Sequence, residues 1–235
     1  MNSTIGNHVH ELVLANKILA REGVMDAFGH VSVRHPERAD RFFLAAAKAP
    51  ELVESVDVME HDLIGEPVDA AGRHPYSERY IHSEIYRLRP DVNAICHHHN
   101  EAIMPFCITG APLLPVYQHG ALIGEHVPLW DSRDEFGDTN LLVANAEQGR
   151  SLARALGNGK CVLMRHHGAT VVGAELRELV FRSVAMCQNA GFQYRALALG
   201  PVTGLTAGEA SMAAKVPQGV FNRAWDLWAK RIQAS

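Results

Sequence analysis

Two histidine clusters stand at the ends of apolar runs: ICHHHN at 95–100 and RHHG at 165–168. Side chains on a strand alternate faces, so His97 and His99 point one way and His98 the other. Imidazoles at i and i+2 can chelate one cation. A tetrahedral or octahedral site then needs a third protein ligand and keeps positions open for substrate. Alone, each cluster suits packing as well as ligation. Two of them on apolar strands favour a metal centre. Glu78 follows Pro75-Tyr76-Ser77 at the start of a helical pattern. A carboxylate there is favoured by the helix dipole. The same carboxylate could serve as a general acid or base, or as a further ligand.

Positioning these groups requires a scaffold, and the pattern supplies one. Residues 6–22 carry apolar positions at helical spacing and stop at Gly23. Strands are predicted at 30–35, 42–47 and 56–62. A helix follows over SERYIHSEIYRLR, with Ser77 as its cap and Pro90 just beyond its end. VNAICHHH at 92–99 and KCVLMRHH at 160–167 are predicted as buried strands, with a turn beginning at Gly168. Helices are predicted at 147–157, 175–199 and about 217–232. Strands and helices mix without a regular βαβ repeat, which points to an α/β layered fold with a mixed sheet. No repeat or linker divides the chain, so residues 1–235 read as one domain. Phe221, Trp225 and Trp228 sit at helical spacing in the C-terminal segment of about 201–235, which suits packing on the domain or on a neighbouring subunit.

Composition narrows the function classes. The chain has 235 residues, 47% hydrophobic and 20% charged, as an ordinary globular protein does. Its formal net charge of -4 gives no basic excess for nucleic acid or an anionic membrane. No apolar run reaches the roughly 20 residues that span a bilayer, and the N-terminus lacks a secretion-signal pattern. The four cysteines fall singly, as free thiols would in a reducing compartment. A cytoplasmic location is the expectation. Fourteen histidines are available as ligands, acids or bases.

The order GHVSVR at 29–34, HPYSERYIHSEIYRLRPDVNAICHHH at 74–99 and VLMRHHGATVVG at 162–173 resembles the class II aldolase/adducin family. That resemblance runs from about residue 8 to about residue 200. It implies a three-layer α/β/α sandwich around a mixed, largely antiparallel sheet. It implies His97, His99 and His167 as ligands of one divalent ion per subunit (zinc, manganese, iron or cobalt). It implies Glu78 as the acid/base that can also touch the metal. It further implies a homotetramer with active sites at subunit interfaces. His98 and His166 are expected to pack or to orient ligands.

Sugar-phosphate aldolases of that family use small hydroxyl and amide donors to cradle a phosphate. Here His30 stands where asparagine is expected, LAAAKAP lacks a Thr-Gly pair, and Tyr76-Ser77 replaces a serine pair. His30, Lys48, Tyr76, Ser77 and Arg79 could instead contact a carboxylate, although a solvated surface lysine is an equal reading of Lys48. His119, in PVYQHG, resembles in position an aldolase tyrosine that helps protonate substrate. GHVSVR and WDSRDEFGDTNLLV at 130–143 resemble the branch of metal-dependent decarboxylases of hydroxylated aromatic or pyridine carboxylates. The expected function is a lyase of that kind, acting on a dihydroxyphthalate-type compound, with Glu78 or His119 returning a proton to the ring. The alternatives are an aldolase or epimerase on a sugar acid or sugar phosphate, an iron-dependent oxygenase, and a non-catalytic adducin-like interaction domain, which would lack the ligand set.

Overall fold

The computed structural model describes residues 3–234. Seven strands form one sheet: β1 (His30–Arg34), β2 (Arg41–Ala45), β3 (Val58–Asp62), β4 (Ala94–His98), β5 (Leu129–Trp130), β6 (Cys161–Met164) and β7 (Gly168–Gly173). Their order is β3-β2-β1-β4-β7-β6-β5. Every pairing is antiparallel except β5 with β6. The helices are α1 (Ser3–Arg21), α2 (Arg79–Leu88), α3 (Met104–Thr109), α4 (Arg133–Phe136), α5 (Ala146–Leu156), α6 (Leu176–Ala196), α7 (Ala207–Ala213) and α8 (Gln218–Gln233). None of the described helices is long and apolar enough to cross a membrane.

The alternation of each strand divides the core into two layers. Val31, Val33, Cys96, Leu163 and Val171 pack with α1, α6 and α8 on one face. Phe42, Leu44, Ile95, Val162 and Val172 pack with Ile81, Ile85 and Tyr86 of α2 and with Leu152 and Leu156 of α5 on the other. This is the α/β/α sandwich with a mixed, largely antiparallel sheet expected from the sequence. His30, Ser32 and His97 fall on the α2 face by the same alternation. The C-terminal α8 buries Phe221 and Trp225 against this chain's own helices.

Three local expectations are corrected. Ser77 does not cap α2; Glu78 occupies that position and makes no capping bond to the backbone. Its carboxylate is drawn instead to Val143 and the histidines. The turn expected from Gly168 lies one step earlier, over 165–167, and Gly168 opens β7. The run GATVVG shows no polar-apolar alternation because both faces of β7 are buried. Val56 and Asp57, expected in a strand, form a short 3-10 turn before β3.

His61, His82 and His98 are fully buried. Burial pushes them down to about 4, about 3 and about 3 respectively. All three are therefore neutral when folded at pH 5, yet they take up protons below about 6.5 when unfolded. The unfolded chain binds more protons in that window, so stability present above pH 6.5 is lost as pH falls. Replacing His61 by phenylalanine should recover roughly 2 kcal/mol of the loss between about pH 7 and about pH 5. Urea midpoints of the metal-free protein at the two pH values read this directly. Equal losses in native protein and variant would contradict it.

Candidate metal centre and cavity

The end of β4 and the β6–β7 turn meet at the N-terminus of α2. β4 pairs with β7, setting His97 opposite Thr170 and His98 opposite Ala169. The intervening turn carries His166 at φ 54 and delivers His167 beside His99, with ring centroids 5.1 Å apart. Gly168 is needed for this approach: a Cβ there would lie 2.3 Å from the His98 carbonyl oxygen. Asn100 secures the other end of the turn after β4, bonding Gly23 O and the Ala102 amide.

Glu78, His97, His99 and His167 each offer one ligand atom, and these atoms all lie within 4.8 Å of one another. His97 Nε2 is 3.0 Å from His99 Nε2 and 3.7 Å from Glu78 Oε2. His167 Nε2 is 3.5 Å from Glu78 Oε1. The tautomers suit ligation. Asp26 faces His99 Nδ1 at 3.3 Å and accepts its proton, leaving Nε2 bare. The Thr170 hydroxyl donates to Met164 Sδ, so it can accept from His97 Nδ1 at 3.4 Å. Burial and the neighbouring histidines hold His97 well below its ordinary range, hence neutral. Burial pushes Glu78 up, but His167, His30 and the Val143 amide together bring it below the usual carboxylate range. A carboxylate and three imidazoles gathered within 4.8 Å form a donor set that fits a divalent first-row cation.

Asp26 also accepts the Phe28 and Gly29 amides. Its carboxylate therefore ties the His99 ring to the loop beside the site. Asp26→Asn is expected to weaken metal affinity about 10–100-fold, as measured by competition with a chromogenic chelator. Unchanged affinity would remove Asp26 from the site.

The cluster opens into a cavity of about 640 Å³. His30, Lys48, Tyr76 and Ser77 line it with Glu78, His99 and His167. Ala27, Phe28, Ala47, Ala49 and Leu142 make the rest of its wall apolar. Lys48 Nζ reaches Asp57 at 2.8 Å and remains about one-third exposed. The Tyr76 hydroxyl donates to Lys48 O and accepts the Lys48 amide, and its ring packs 4.6 Å from the His30 ring. Arg79 and His119 do not line it. The Arg79 guanidinium is held by Gly65 O, Glu66 and the Tyr80 hydroxyl. His119 packs against Tyr117 and Phe181. A second cavity, of about 650 Å³, lies at the opposite strand ends near Arg34 and His35 and carries no ligand cluster among the described residues.

Sequence patterns alone do not single out Asp26, Ser32 or Thr170. His82 stands four residues after Glu78, on the same face of α2, and that spacing is a usable signal. Asp26 acts through a loop closure that no periodicity marks.

Comparison with known proteins places the chain in a family. Residues 10–194 match the family model described as Class II Aldolase and Adducin N-terminal domain. A decarboxylase of Talaromyces stipitatus, tropJ, is 34% identical over 259 residues, covering 99% of this chain and 97% of its own. A 3,4-dihydroxyphthalate decarboxylase of Arthrobacter keyseri is 25% identical over 204 residues, covering 80% and 78%. The solved L-fuculose 1-phosphate aldolase from Glaciozyma antarctica superposes with a TM-score of 0.82 at 24% identity, covering 99% of this chain and 90% of its own.

Proposed function

The chain belongs to the class II aldolase and adducin family, and from that premise we propose that it is a metal-dependent decarboxylase of a hydroxylated aromatic carboxylate. The observation that carries this reading is the composition of the cavity wall. Apolar residues, Phe28 among them, flank the histidine–glutamate cluster, and Lys48 is the one cationic lysine or arginine lining it among the described residues. A flat aryl ring suits the apolar wall. A carboxylate suits Lys48.

His97, His99 and His167 would hold the cation with Glu78 beside them, and the cation would supply a Lewis acid for charge developing on a substrate hydroxyl oxygen. Lys48 and His30 orient the departing carboxylate. Glu78, ionised and beside the ligands, accepts the hydroxyl proton. The bond between ring carbon and carboxylate then breaks. Its electron pair stays on the ring carbon, and carbon dioxide leaves. Glu78 passes its proton to that carbon, and solvent reprotonates the oxygen. His119 lies outside the cavity of its own chain. In a homotetramer with sites between subunits it would act in a neighbour's cavity. The cytoplasm remains the proposed location.

The reading is tested by trapping carbon dioxide from 3,4-dihydroxyphthalate and 2,3-dihydroxybenzoate, with protein loaded with manganese, iron, cobalt or zinc. Release that a chelator stops supports it. No release with metal verified as bound, together with cleavage of a sugar phosphate, would transfer the assignment to aldol chemistry. Oxygen consumption would transfer it to an oxygenase.

A further inference from the structure

Behind the cavity wall runs a chain of four buried polar side chains. His30 Nδ1 lies 2.7 Å from His82 Nε2, His82 Nδ1 lies 2.7 Å from Ser32 Oγ, and Ser32 Oγ lies 2.9 Å from the Tyr86 hydroxyl. All four residues are at most 1% exposed. Neither imidazole is hydrogen-bonded to a carboxylate, and burial favours the neutral ring, so each carries one proton.

Counting hydrogens gives the chain a direction. Each gap holds one hydrogen. If His30 donated to His82, His82 to Ser32 and Ser32 to Tyr86, the Tyr86 hydrogen would be left without an acceptor deep in the core. Arg34, whose guanidinium lies 4.6 Å above the Tyr86 ring, is a donor only and gives no relief. In the reverse direction Tyr86 donates to Ser32, Ser32 to His82 Nδ1, and His82 Nε2–H to His30 Nδ1. The single leftover donor is then His30 Nε2–H, which is also buried but belongs to a residue that lines the cavity, where an incoming ligand can satisfy it. His30 Nε2 is the ring nitrogen without a partner in the structure. A neutral donor also suits its place, because its ring centroid is 5.1 Å from that of His97. A charged one would oppose a cation held there.

We propose that Ser32 and His82 are positioning residues that, with Tyr86 closing the chain, fix His30 as the Nε2–H tautomer and make it a donor to a carboxylate oxygen of the bound substrate. The substrate half rests on the decarboxylase reading, and the tautomer half does not. Lys48 lines the same cavity, so a carboxylate there meets one cationic and one neutral donor.

Solid-state 15N spectra of zinc-loaded, histidine-labelled protein read the tautomer, with His30 assigned by the signals lost in His30→Gln. The native protein should show a protonated Nε2. Ser32→Ala, which leaves His82 Nδ1 without a partner, should give a mixture of tautomers, and Ser32→Thr should restore one. A bare Nε2 in the native protein, or an unchanged spectrum in Ser32→Ala, overturns the tautomer assignment. For the substrate half, dissociation constants are compared for 2,3-dihydroxybenzoate and for catechol, which lacks the carboxylate. His30→Phe should weaken the first by roughly tenfold or more and leave the second nearly unchanged. Equal loss for both, or no loss for either, overturns the carboxylate contact. A native protein with a protonated Nε2 that binds neither ring overturns the substrate half and leaves the tautomer standing.

Discussion

Replacing His97 by alanine is expected to strip the protein of its divalent cation and to abolish turnover. His97 lies between the other donors, 3.0 Å from His99 Nε2 and 3.7 Å from Glu78 Oε2, with its ring centroid 4.9 Å from that of His167. Without it the i, i+2 chelate is lost, and the remaining groups converge from three separate segments. Removing an outer partner of a metal ligand costs about 10–100-fold in affinity, and removing a ligand should cost more. His97 is fully buried, so alanine also opens a hole in the wall of the site. His99→Ala provides the folding control, because the His99 side chain is partly exposed. Elemental analysis after gel filtration, alongside thermal melts, reads the outcome. Both variants should melt cooperatively and carry no cation. Stoichiometric metal in both would remove the ligand assignment.

The second large effect is expected from Glu78→Gln, which should keep the fold and much of the metal affinity but lower kcat by about 10²–10⁴-fold, the usual contribution of a positioned acid or base. Glutamine retains an oxygen to accept the Val143 amide, now 3.0 Å from Oε1. It cannot carry the hydroxyl proton to the ring carbon. The separation between retained metal and lost turnover is the informative part. A loss that tracks metal content would reduce Glu78 to a ligand, and an unchanged kcat would remove it from the chemistry.

Much of this site is legible in the amino-acid sequence. The HxH pair follows from strand alternation, and the strand forms at 94–98 within the predicted 92–99, with His97 in it and His99 just past its end. Family resemblance points to His167, but its local setting differs from the strand end that the apolar run suggests. It lies in a hairpin turn, because Gly168 must pass against the His98 backbone and the chain reverses just before it. The helical pattern places Glu78 at the start of α2, but the reason its carboxylate turns inward, the Val143 amide 65 residues away, is invisible to any local pattern. Arg79 adjoins Glu78 in sequence and yet leaves the site, because helical geometry swings consecutive residues about 100° apart. Lys48 lines the cavity while Asp57, across a short loop, holds its amine, a contact that no local pattern marks. The chain through His82, Ser32 and Tyr86 joins β1 to α2 and depends on the sheet packing against that helix. No spacing within either element predicts it.

The proposed metal binding and turnover both depend on His97, His99 and His167 holding one cation beside Glu78. Anomalous diffraction from crystals grown with cobalt or zinc, collected on either side of the metal edge, tests this directly. One strong peak per chain is expected, about 2.0–2.2 Å from Nε2 of all three histidines. A peak bound elsewhere, with none among these four side chains at full metal loading, would contradict it.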